Sequence, residues 1–178
     1  KIEQIKYIEY NTDRVPDKLR RPTFRQLYDG EKILRGRVTQ GTYDDSEIVC
    51  NDSIMVMKRF VDLRGINERS INVSISKNNL KLSSKKTLEL INKKRQELEK
   101  TSQKYSLKYI LGIINSKYSM AFLNNFRRHR LENYFYPDDF RNFPIAYTKS
   151  EIQRIFDYFV NLLLFVNKLQ LSNNFISF

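Results

Sequence analysis

Near its C-terminus the chain holds a helix that water alone will not tolerate. Thr148 and Glu151 stand at the spacing of a capping box, where a hydroxyl and a carboxylate satisfy the first free backbone N–H groups of a helix. Behind them Ile152, Ile155, Phe156, Phe159, Val160, Leu163 and Val166 fall at helical spacing and form a wide apolar stripe that runs to about Leu169. A helix this apolar is stable only when something covers it. The stripe therefore predicts a C-terminal helical arm over 148–171, packed on a domain formed by 1–147 or on a partner.

The preceding residues read as a mixed domain. Gly30 and Glu31 form a turn into Lys32–Val38, a strand in which Ile33, Arg35 and Arg37 share one face and Leu34, Gly36 and Val38 the other. On this reading Arg35 and Arg37 project side by side from a sheet surface. Glu47–Met57 is nearly continuous in apolar character after Asp52, as a buried central strand is, and Ile71, Val73 and Ile75 alternate with polar residues as a marginal strand does. Residues 77–106 are lysine-rich and polar and read as a surface insertion with one helix around 86–100. Leu107, Ile110, Leu111 and Ile114 then mark a core helix, with Gly112 and Ser116 small enough for close approach and Met120, Phe122 and Leu123 continuing the signal. The fold class is α+β: a small twisted β-sheet with packed helices and a C-terminal helical arm.

Charge narrows the partner. Across 178 residues, 32 Lys and Arg stand against 20 Asp and Glu, a formal +12, which points first to a polyanion and only distantly to an anionic membrane. No run approaches the roughly 18–20 consecutive apolar residues that span a bilayer. The single cysteine, Cys50, has no internal disulfide partner, and the first ten residues contain no apolar signal-peptide core, so a cytoplasmic protein is expected. The chain opens on Lys1, which reads as a fragment of a longer polypeptide.

Catalytic motifs are missing. Five scattered glycines and no Pro-Pro leave neither a Gly-rich cofactor loop nor the Asn-Pro-Pro-aromatic turn of an amino-methyltransferase. One Cys and one His supply neither a zinc site nor a Cys–His nucleophile, and no acidic set has the spacing of a metal-dependent nuclease. Asp138 and Asp139 follow a proline and read as a turn or helix cap. The reading is of a chain without catalytic or metal-binding residues and without a cofactor of its own. Its binding candidates are Arg20, Arg21, Arg25, Arg35, Arg37 and Gln40 from the first strand region, and Arg127, Arg128 and Arg130 from a later loop that also holds His129. Arginine pairs bidentately with guanine O6 and N7, glutamine with adenine, and either side chain also bonds phosphate. The later cluster equally suits a helix C-terminus, where cations are favoured.

Four stretches, in this order, carry a family likeness: RRPTFRQLYDGEKILRGRV (20–38), TYDDSEIVCNDSIMVM (42–57), LKYILGIINSKYSMAFL (107–123) and FRNFPIA (140–146). Together they resemble the TaqI-like C-terminal specificity domain of type IIG restriction-modification enzymes and related adenine DNA methyltransferases. The resemblance implies a non-catalytic target-recognition domain that lies against double-stranded DNA. It also implies a catalytic methyltransferase domain in the same bacterial parent polypeptide, where S-adenosylmethionine and any endonuclease reside. Residues 77–106 depart from the family pattern. Two other classes fit the residues: a protein-interaction module docking through the final helix, and a non-specific nucleic-acid or RNA-binding domain.

Overall fold

The computed structural model describes residues 24–50, 53–76, 85–126, 134–141 and 143–176. Gly30, at φ +63°, turns the chain into strand β1 (Lys32–Gly36), a left-handed conformation that a side chain would strain. β1 is the central strand of a three-stranded antiparallel sheet, flanked by β2 (Gly41–Asp44) and β3 (Ile54–Met57) in the order β2-β1-β3. Registers run from Lys32 opposite Asp44 to Arg35 opposite Gly41 on one side, and from Ile33 opposite Met57 to Gly36 opposite Ile54 on the other. The 47–57 segment thus supplies an edge strand of four residues, not the central one; its apolar character reflects one face turned to the helices.

Among the described residues six α-helices follow: α1 (Arg69–Ser76), α2 (Lys85–Ser102), α3 (Leu107–Ile114), α4 (Lys117–Phe126), α5 (Pro137–Arg141) and α6 (Ser150–Ile176). The α+β class is as expected. Residues 71–75, expected as a strand, are instead the body of α1, which buries Ile71 and Ile75 one turn apart. These two join Phe24, Leu63 and Ile91 in one apolar core, against which Leu98 also packs. Because Ile91 and Leu98 come from α2, the lysine-rich segment holds a core-forming helix and is more than a surface insertion.

A second core joins the sheet to α3 and α6 through Ile33, Leu107, Leu111, Ile114 and Val160, and a third joins it to α4 through Met55, Leu123 and Phe135. Each such buried side chain contributes about 1.5–3 kcal/mol. The helix expected to run through 107–123 is broken at Asn115–Ser116. Ser116 Oγ accepts the Ser119 N–H at 3.2 Å, so a new cap starts α4. The first of the pair, α3, is itself capped by Ser106 Oγ, which accepts from the N–H groups of Lys108 and Tyr109.

The final helix starts at Ser150 and is longer than expected. Thr148 acts through its carbonyl, which accepts from the Gln153 side chain at 3.0 Å. That buried amide also donates to Lys104 O and accepts from Ser106 N–H, so its hydrogen bonds fix α6 against the start of α3. Among the described residues, no helix is long and apolar enough to cross a membrane.

Candidate nucleic-acid interface

The period-2 reading of β1 is correct in placing Ile33 and Arg35 together, and this is what removes Arg35 from the surface. Their shared face is the one that α3 and α4 cover, and Arg35 is 1% exposed. Its guanidinium lies 5.0 Å from the Phe140 ring centroid and 5.6 Å from that of Phe135. It donates to Asn115 Oδ1 and Met120 Sδ at 3.4 Å each, and among the described residues its Nε has no hydrogen-bond acceptor. Burial lowers its pKa from the ordinary arginine value. Arg35 is therefore a buried cation held by aromatic faces, and the expectation that it projects toward a DNA surface is corrected.

Arg37 lies one residue past β1, with its guanidinium 5.5 Å from the Tyr136 ring centroid and its carbonyl accepting the Phe135 N–H at 2.9 Å. Gln40 is exposed in the same β1–β2 turn. Arg25 sits on a short 3-10 turn (Arg25–Leu27), exposed but facing Asp29 at 3.6 Å and Glu47 at 3.5 Å. Arg20, Arg21, Arg127, Arg128 and Arg130 lie outside the described residues. Asp139 reaches back to accept the Tyr136 N–H at 2.8 Å, the capping role expected of the 138–139 pair.

The structure brings together a second set that the linear sequence does not reveal. Strand β2 is a sheet edge, and α3 runs beside it, clasped at its end by Asn115. That side chain accepts from Gly41 N–H and donates to Gly41 O, both at 2.8 Å, pairing with the strand backbone as another strand would. At the other end of α3, Lys108 Nζ lies 4.4 Å from the Tyr43 ring centroid, and Lys104 Nζ lies 5.9 Å from that of Tyr147. Tyr147 is exposed and meets Tyr105 edge-on at 5.9 Å. Among the described residues, Lys104 and Lys108 face tyrosine rings and have no carboxylate within ion-pair distance. A basic and aromatic strip thus follows the β2 edge from Gln40 to Lys104. Its members are separated by up to 107 positions in the chain, and no local pattern links them.

The neighbouring cations differ. Arg59 is bidentate to Asp62 at 2.7 and 2.8 Å, and that bond raises its pKa. Lys32 is fully buried, paired across the strands with Asp44 and donating to the carbonyls of Gly30 and Ser46. Lys58 donates to the carbonyls of Gln26 and Asp29, and burial lowers its pKa. These three hold loops to the sheet. A cleft of about 400 Å³ between the first and second cores is lined mainly by apolar side chains, among them Ile33, Phe60, Leu98 and Phe143. Among the described residues, no three His, Cys, Asp or Glu side chains converge as a metal site does.

Comparison with protein-family models, curated proteins and solved structures found no match to this chain.

Proposed function

We propose that the chain is a sequence-reading module for double-stranded DNA, the target-recognition part of a bacterial restriction-modification enzyme or DNA methyltransferase, acting in the cytoplasm. On this reading it performs no chemistry, and S-adenosylmethionine and methyl transfer belong to a catalytic domain of the parent polypeptide. The observation that carries the proposal is the strip along β2, where Lys104 and Lys108 face tyrosine rings with no carboxylate in ion-pair range, in a chain of formal charge +12. Such lysines are available to phosphates, and each phosphate contact releases counterions. The lysines set the register of the duplex, while Gln40, exposed in the β1–β2 turn beside Arg37, reaches base edges.

The test is selection from a pool of random duplexes followed by titration at several salt concentrations. Lys104→Ala with Lys108→Ala is expected to weaken all sequences alike and to reduce the slope of log K against log salt by about 2. Gln40→Ala is expected to relax preference at one position, at a cost of about 1–3 kcal/mol for the favoured base. Retention insensitive to both salt and the lysine substitutions overturns the interface. A uniform loss for Gln40→Ala overturns the base-reading role alone.

A further inference from the structure

Helix α6 has two apolar stripes, and among the described residues the fold uses one. The inward stripe is Phe156, Val160 and Leu164, set with the hydrogen-bonded amide of Gln153 against the start and body of α3. Ile152, Ile155, Phe159, Leu162 and Val166 lie on another face at spacings of three and four, with Leu169 continuing the series, and all are 39–56% exposed. That spacing averages 3.5 residues, the a and d positions of a heptad, which is the seam of a helix that packs against another helix. The flanking Tyr158, Leu163 and Phe165 are exposed as well, so the apolar strip is broad.

We infer that this face of α6 is the dimer interface of the chain, covered by the same face of a second copy running antiparallel. Three observations favour a second copy. First, the spacing is symmetric about the bond between Val160 and Asn161. Reversal places Ile155 opposite Val166 and Phe159 opposite Leu162, so the stripe complements itself about a two-fold axis. Second, α6 is electrically neutral, with Arg154 and Lys168 against Glu151 and Asp157 in a chain of formal charge +12, so two copies meet here without the repulsion that the rest of the surface imposes. Third, these nine large, roughly half-exposed apolar residues offer on the order of the 800 Å² per partner that a standard interface buries. That is more apolar surface than monomers generally leave in one patch. Antiparallel packing also sets the C-terminal half of each helix, beyond its contacts with α3, on the N-terminal half of its mate.

The inference is independent of nucleic acid and is tested without it. Light scattering of the chain from micromolar to hundred-micromolar concentration is expected to give the mass of two chains, at physiological and at molar salt alike, since apolar association is not screened. Phe159→Glu with Leu162→Glu is expected to give the one-chain mass throughout with cooperative unfolding retained, whereas Tyr118→Glu, exposed on α4, leaves two. A one-chain mass for the unaltered protein at every concentration, or a two-chain mass for the double variant, overturns the proposal. Orientation is read by oxidative cross-linking on a Cys50→Ser background. Mixed Ile155→Cys and Val166→Cys chains are expected to form a covalent pair. Cross-linking of Ile155→Cys with itself, and not with Val166→Cys, overturns the antiparallel arrangement.

Discussion

Among the described residues Arg35 is buried with no carboxylate in ion-pair range, an unusual component of a small core. Arg35 fills space between Phe135 and Phe140, yet its Nε finds no acceptor, and its remaining bonds at 3.4 Å are long. The side chain stabilises by packing while its charge is penalised by burial. These two contributions separate by substitution. Arg35→Met keeps the length of the side chain and removes the charge, so unfolding by urea is expected to show stability unchanged or raised by up to about 4 kcal/mol, as when buried charges are replaced by apolar groups. Arg35→Ala leaves a cavity and is expected to cost about 2–5 kcal/mol. Equal losses for both would show that the charge itself is stabilising. Because the guanidinium is not at the surface, Arg35→Met is also expected to leave any retention of duplex DNA unaltered. Alternation in the sequence pairs Arg35 with Ile33 but does not say which face is the core, since Leu34 and Val38 make the opposite face at least as apolar; the packing of α3 on Ile33 decides it.

Among the elements, the contact between α3 and α6 depends on Gly112. A Cβ at that position would stand 2.9 Å from Phe156 Cδ1 and 3.4 Å from Cε1, inside ordinary van der Waals distance. Gly112→Ala is expected to push the helices apart and to cost about 1–3 kcal/mol, the usual range for overpacking. Phe156→Ala removes the obstructing ring, so the double variant is expected to lose less than the sum of the single losses in urea unfolding. Strict additivity would mean that the clash is relieved elsewhere. Gly112 is a case where sequence was sufficient, since a small residue inside an apolar helical pattern signals close approach. Strand β1, with its turn at Gly30, was legible in the same way from period-2 alternation. Residues 71–75 were not, because Ile71 and Ile75 are four apart, a separation common to a strand face and a helix face. The break between α3 and α4 lay hidden under a continuous apolar pattern, since Ser116 acts as a cap only once the chain has turned. The strip of Lys104, Lys108, Tyr43 and Tyr147 had no local signal at all. It exists because α3 lies along β2, a consequence of packing between segments far apart in the chain.

For the whole molecule, the formal charge of +12 works against compactness and in favour of a polyanion. Several acids are already engaged: Asp44 with Lys32, Asp62 with Arg59, and Glu99 with Arg64 and Arg95. Each acid cancels one positive charge whichever cations it meets, so the excess remains as mutual repulsion across the surface. Salt at physiological strength has a screening length of about 8 Å and weakens repulsion at that range more than it weakens contacts at 3 Å. At fixed chain concentration without DNA, the urea midpoint is therefore expected to rise from low to physiological salt. A steady fall would instead show that the ion pairs outweigh the repulsion. Duplex DNA acts in the opposite sense with salt. A duplex that binds only the folded chain adds roughly 2.7 kcal/mol when present at a hundredfold excess over its dissociation constant. That increment is expected to shrink as salt rises, because the dissociation constant grows with every counterion released. Opposite salt slopes with and without duplex would assign the positive excess to phosphate binding, whereas parallel slopes would leave it as a solvated surface.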